Sequence, residues 1–207
     1  MRQRLKILSL SAEAVPFAKS GGLVDVGGAL PKALRALGHD VRVAMPAYQS
    51  IEQSLRSGKY GLTAMPGQLK VPLRGGTMPA GVLQGVLPDS DVPIYFIAER
   101  ALFDRPDIYG YGDDAYRFAF FSRAALDLIP ALDWKPDVIH CHDWHSAPAA
   151  MWLATEGSWD ERFRGIPTLY TIHNLAHQGK CRWDITDYLN IRTNALVEEP
   201  YDSINFM

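Results

Sequence analysis

A short run rich in Leu and Ile, Leu5 to Leu10, passes through a loop into Lys19-Ser20-Gly21-Gly22-Leu23-Val24-Asp25-Val26-Gly27-Gly28-Ala29-Leu30-Pro31-Lys32-Ala33-Leu34. This order constrains the fold more than any other stretch. The first run is too short for a helix and reads as a buried strand. From Leu23 onward, apolar residues recur at 23, 26, 30, 34 and 37, the spacing of one helix face. A strand, a Gly-rich loop and a helix start leave unpaired N–H groups and the positive end of a dipole facing whatever sits at the loop, which favours an anion. Gly21 and Gly22 let backbone approach a ligand closely, and Lys19 adds a mobile point charge. A Gly pair also serves as a plain turn, so the phosphate reading needs support from elsewhere in the chain.

The helix is expected to stop at Gly38 and to bend at Pro31, which lacks a backbone donor. Val41 to Met45, closed by Pro46, reads as a second strand, and the three elements form a right-handed parallel βαβ unit. Between Tyr60 and Ala98, short β-prone runs (68–73, 81–87 and 92–98) alternate with Gly and Pro turns, predicting an antiparallel excursion whose last run rejoins the main sheet. Residues 103–114 are too rich in Gly, Pro and Asp to be regular; Tyr109 and Tyr111 there either touch a ligand or pack the loop down. Asp113 or Asp114 is placed to cap the next helix, whose apolar positions form a wide stripe ending at Pro130. Asp137 to His142 is a strand running into Asp143-Trp144-His145, with a helix from about Ser146, and the strand Pro167 to Ile172 ends in His173-Asn174. The class is therefore α/β, a Rossmann-like parallel sheet with flanking helices. In such a sheet the C-terminal strand ends share one edge, so the Lys19 loop, residues 142–145 and residues 173–174 should converge on one cleft.

Other chemistries fit less well. The 207 residues carry 21 Lys and Arg against 23 Asp and Glu, a net charge of −2 that does not recommend nucleic acid as a partner. Cys141 and Cys181 are too few for a secreted disulfide scaffold. The first apolar run is too short for a signal segment, and no run approaches the roughly 18 residues of a membrane span. These features predict a cytoplasmic chain without a membrane partner. His140, His142, His145 and the cysteines include zinc-ligand types, but strand alternation sends His140 and His142 to the face opposite Cys141, and no structural-zinc spacing occurs. No metal or other cofactor is expected. Ser146 lacks a Gly-x-Ser-x-Gly elbow, and Asp143 has no evident carboxylate partner at another strand end. A dinucleotide-binding dehydrogenase should end its second strand with an acidic residue, yet that strand ends Ala44-Met45-Pro46.

The Lys19-Ser20-Gly21-Gly22-Leu23 segment, extended from Ser11-Ala12-Glu13 to Ala33-Leu34, resembles the Lys-x-Gly-Gly-Leu signature of bacterial glycogen synthases and plant starch synthases. His142-Asp143-Trp144-His145 and Thr171-Ile172-His173-Asn174-Leu175-Ala176-His177-Gln178-Gly179 resemble further motifs of that family in its order. With the Phe103 loop and Arg117 to Ser122, the resemblance covers almost the whole chain.

The resemblance implies the N-terminal domain of a GT-B fold and retaining transfer of glucose from ADP-glucose to the non-reducing end of an α-1,4-glucan. It implies His173 beside the transferred glucose and Asp143 assisting the acceptor, as catalytic residues. Lys19, Gly21, Gly22, Asp25, Tyr109, His142 and Asn174 are implied as ADP-glucose contacts, with Trp144 read as core rather than as a sugar platform. The family's C-terminal nucleotide-binding domain has no counterpart after Met207, so the chain is expected to be a fragment, inactive alone, whose missing half is its partner. Two alternatives stay open: another GT-B transferase, such as a UDP-glucose-using sucrose synthase relative, and a non-catalytic glucan-binding remnant.

Overall fold

The computed structural model describes residues 3–21, 23–192 and 203–207. Gly22, expected to contact the diphosphate, lies outside the described residues. The chain begins with β1 (Lys6–Leu10), α1 (Leu23–Ala36) and β2 (Asp40–Pro46), with β1 and β2 parallel as the apolar spacing predicts. Gly38, at φ +96°, adopts the left-handed backbone that ends the helix. α1 runs through Pro31 without interruption.

A helix that the sequence reading omits, α2 (Gln49–Ser57), follows; Ile51 is its one buried residue, too little apolar pattern to register. The excursion comprises β3 (Thr63–Ala64), β4 (Leu69–Leu73) and β5 (Gly76–Val86), all antiparallel pairings on β5. β6 (Pro93–Ala98) pairs antiparallel with β5 and parallel with β2, so the last run does rejoin the main sheet. After a one-turn helix, α3 (Arg100–Phe103), and the Tyr109 loop, α4 (Asp114–Ala131) is buried continuously from Arg117 to Ile129. A helix buried around its whole circumference lies inside, between layers, rather than on a surface, and its polar members Arg117, Arg123 and Asp127 are paired there.

β7 (Val138–His142) lies parallel to β1, α5 (Ala147–Thr155) returns, and β8 (Thr168–Thr171) lies parallel to β7. A small ribbon of β9 (Cys181–Arg182) and β10 (Ser203–Ile204), with α6 (Asp184–Tyr188) beside it, completes the described chain. The main sheet runs β3-β5-β6-β2-β1-β7-β8 with β4 on β5. Its parallel part, β6-β2-β1-β7-β8, reverses strand order at β1, and ligands bind outside such a reversal at the carboxyl ends of the strands. No helix among the described residues is long and apolar enough to cross a membrane.

Candidate functional site

Three loops leave that edge, after β1, β7 and β8. A cavity of about 700 Å³ opens among them, lined by Glu13, Ser20, Gly21, Tyr109, Gly110, Asp114, Asp143, Trp144, His145, His173, Asn174 and His177. The expected convergence therefore occurs, with Tyr109 contributed by a fourth segment.

The wall after β1 is organised by Glu13, a residue that sequence reasoning leaves without a role. It is buried, and its Oε2 accepts hydrogen bonds from the amides of Ser20 (2.5 Å) and Gly21 (3.1 Å). The Tyr109 hydroxyl donates to its other oxygen at 2.6 Å. Burial drives the Tyr109 phenol far above its usual pKa, with the nearby Tyr48 and Glu13 adding to the effect, so it stays a donor. Charge-assisted bonds of this kind are roughly twice as strong as neutral ones. Gly27 is what lets α1 lie against this turn: a Cβ there would stand 2.2 Å from the Glu13 carbonyl oxygen.

Tyr109 is held from below as well. Arg117, fully buried on α4, donates through Nε to the Leu102 carbonyl at 2.6 Å and through Nη1 to the Ile108 carbonyl and to Asp114. Asp114 in turn accepts from the amides of Gly110 (2.8 Å) and Tyr111 (3.2 Å). Neither expected cap is made: Asp113 has no side-chain bond to the helix start and instead pairs with Arg105 at 2.6 Å. A guanidinium within reach outcompetes a backbone amide for a carboxylate. The Tyr109 ring stacks on His145 with centroids 4.7 Å apart.

The wall after β7 and β8 turns on Asp143. Its φ of +56° is a left-handed conformation that Asp tolerates better than most side chains, and strain of this kind clusters at functional sites. Oδ1 accepts from the His173 amide at 2.6 Å and from the Asn174 amide at 3.4 Å, tying the β8 loop to the end of β7. The His173 ring lies against His142, with Nε2 and Nδ1 2.9 Å apart. Burial, reinforced by His140 and His173, pushes His142 down to about 3, and burial pushes His145 down to about 3, so both are neutral near pH 7. A neutral imidazole has one donor and one acceptor nitrogen, so His142 and His173 share a single proton across their contact. That fixes the orientation of the His173 ring.

Of the expected contact residues, Gly21, Tyr109, Asp143, His173 and Asn174 line the cavity. Lys19 and Asp25 are exposed nearby and do not line it. His142 needs a correction: it is wholly buried and reaches the cavity only through His173, because strand alternation points it into the sheet face beside His140. Trp144 packs against Gly179, the His145 ring (centroids 4.2 Å apart) and the Phe118 ring (5.3 Å), and it lines the cavity as well. Glu13, Arg117 and His145 were legible only as parts of longer motifs, since a single polar residue carries no periodic signal of its own. Among the described residues no group of three or more His, Cys, Asp or Glu is arranged to hold a metal ion.

Comparison with known proteins agrees with this geometry. The family model of the starch synthase catalytic domain matches residues 6–207. A glycogen synthase of Moorella thermoacetica is 44% identical over 200 residues, covering 96% of this chain and 38% of the relative. Glycogen synthase 1 of Geobacter metallireducens is 42% identical over 195 residues, covering 91% and 38%. The chain thus spans about two fifths of the length of these relatives. Among solved structures, the catalytic domain of starch synthase IV from Arabidopsis thaliana, bound to ADP and acarbose, superposes with a TM-score of 0.82 at 29% identity, over 99% of this chain and 42% of that one. The mostly parallel sheet with flanking helices is the architecture of a GT-B glycosyltransferase catalytic domain. On the family match and these relatives together, the chain belongs to the glycogen and starch synthase family.

Proposed function

We propose that this chain supplies one wall of a glucosyltransferase site that moves glucose from ADP-glucose to the 4-hydroxyl at the non-reducing end of an α-1,4-glucan, with retention. The observation that carries this reading is the cavity at the strand-order reversal, where Tyr109, Asp143, His173 and Asn174 meet the start of the glycine loop. Its lining joins ring faces to donors and acceptors of both kinds, the mixture that a polyhydroxylated ligand requires.

In such a transfer, negative charge grows on the departing diphosphate and positive charge on the sugar ring, and fixed dipoles aimed at those charges lower the barrier. Lys19, exposed beside Ser20 and Gly21, is the group that follows the diphosphate as the site fills. The Gly21 amide already donates to Glu13, so in this arrangement its part is to shape the loop that presents Lys19. Asp143 acts as acceptor-side base where the incoming hydroxyl comes within hydrogen-bond reach. His173, held by His142 through its ring and by Asp143 through its amide, presents ring and carbonyl to the transferred glucose. A second Rossmann-like domain facing this cavity completes the nucleotide site, and the cytoplasm is the compartment that fits a soluble nucleotide-sugar donor.

Steady-state kinetics of the complete enzyme test the assignment. Lys19→Ala should raise KM for ADP-glucose about tenfold with a smaller effect on turnover, whereas His173→Ala should lower kcat by about 100-fold. Both variants within twofold of wild type would remove the site. The 207-residue chain alone should incorporate no radiolabelled glucose into glycogen.

A further inference from the structure

The contact between His142 and His173 carries more than a ring orientation. The ring centroids are 5.2 Å apart with planes 22° from parallel, and Nδ1 of His142 stands 2.9 Å from Nε2 of His173. The rings therefore meet edge to edge, nearly in one plane, along the direction in which a ring N–H and a ring lone pair point. One nitrogen donates and the other accepts.

The far nitrogen of His142 decides which. His142 is wholly buried, and its Nε2 has no hydrogen-bond partner among the described residues. The His140 ring lies over its face, with centroids 3.9 Å apart, and His140 Nε2 is engaged with Thr171 Oγ1 at 2.8 Å, so no acceptor is offered at the Nε2 edge. Burial keeps His142 neutral, and a neutral imidazole carries one ring proton. On Nε2 that proton would be a buried donor with no acceptor; on Nδ1 it is hydrogen-bonded, and Nε2 is left as a bare lone pair. An orphaned buried donor is the rarer defect, so the proton sits on Nδ1 and His173 accepts it at Nε2. An imidazole that accepts at Nε2 carries its own proton on Nδ1, the nitrogen left for the cavity that His173 lines.

On the reading proposed above, we infer that His142 is a positioning residue that sets the tautomer of His173, so that His173 turns an Nδ1–H donor toward the transferred glucose. The sugar oxygen facing that nitrogen accepts a hydrogen bond, and the imidazole takes no proton from the sugar, which leaves proton acceptance to Asp143.

Ring 15N NMR of the 207-residue chain near pH 7 reads the tautomer directly, with the His173 signals assigned by their loss in His173→Asn. The wild type should show His173 protonated on Nδ1 and bare on Nε2. His142→Asn, whose amide N–H can donate from nearly the same place, should keep that pattern, whereas His142→Leu should return His173 to the Nε2–H form that a free imidazole side chain favours. In the complete enzyme, His142→Leu should lower kcat about 30-fold with KM for ADP-glucose within about threefold, and His142→Asn should recover most of the loss. A merely structural His142 would leave the two variants equally slow. His173 protonated on Nε2 in the wild type, equal kcat losses in the two variants, or a His142→Leu turnover within about twofold of wild type overturns the inference and leaves the transferase reading standing. That reading falls instead if His173→Ala keeps wild-type turnover.

Discussion

The two walls of the cavity are built on the same device with different reach. On one side Glu13 captures two successive amides, Ser20 and Gly21; on the other Asp143 captures two successive amides, His173 and Asn174. Glu13 closes a loop of seven or eight residues and then extends through Tyr109, 96 positions away. Asp143 joins the ends of two adjacent strands directly, at the cost of a left-handed backbone. Both show that amides of the loops at this edge, natural seats for a ligand's negative charge, are taken here by the protein's own carboxylates. The cavity is thereby shaped before any ligand enters, which is the preorganisation that catalysis requires.

The strongest way to break this comparison is Glu13→Ala. Removing a buried acceptor of three hydrogen bonds strands the Tyr109 hydroxyl, and we expect a loss of about 3 kcal/mol in urea unfolding. Glu13→Gln, which keeps an oxygen for the amides, should recover most of it. A loss below about 1 kcal/mol for Glu13→Ala would mean that packing alone holds the first wall.

Acid tests the histidines between the walls. His142 and His145 titrate near 3 in the fold against about 6.5 when unfolded, so protons bind the unfolded chain first as pH falls below about 6.5. Stability from these groups is complete above that pH and declines on the way to about 3, by roughly 1–2 kcal/mol per histidine at pH 5. The carboxylates Asp113 and Asp160, lowered by their arginine partners, are lost in the same direction at lower pH. Denaturant midpoints equal at pH 7 and pH 5 would contradict the buried neutral state.

Asp143 sharpens the contrast at smaller scale. Asp143→Ala removes the oxygen that accepts from both amides and keeps the positive φ, costing about 2 kcal/mol; Asp143→Asn, tolerant of that backbone and still an acceptor, should cost under about 1 kcal/mol. If Asn and Ala cost the same, the amide bonds do not hold the second wall. Tyr109→Phe should cost about 1 kcal/mol, less than either alanine variant, because Glu13 keeps its two amides and only one donor is lost. Glu13→Gln and Tyr109→Phe should be non-additive, since they share a bond.

Much of this could be read from residue order. The 3.6 spacing after Leu23, the β-prone runs of the excursion and the strands ending at His142 and Thr171 depend on local periodicity, and they recur in the fold within one to three residues at most boundaries. The convergence of the glycine loop with Asp143, His173 and Asn174 followed from one topological rule about parallel sheets. α2 escaped because its apolar signal is a single buried Ile, and the caps at Asp113 and Asp114 were misassigned because Arg105 from the preceding loop and Arg117 one turn along α4 compete for those carboxylates.

The order of strands, loops and helices, and the edge on which chemistry-bearing residues gather, were determined by the sequence alone, since hydrophobic period and chain handedness act locally. Which of those residues reach the cavity was decided by tertiary structure. His142 and His173 are 31 positions apart and only one of them meets the cavity; Glu13 and Tyr109 are 96 apart and meet through a single proton. Side-chain bonds across such separations depend on distances that no local pattern encodes, because they exist only after the sheet has brought its strand ends together.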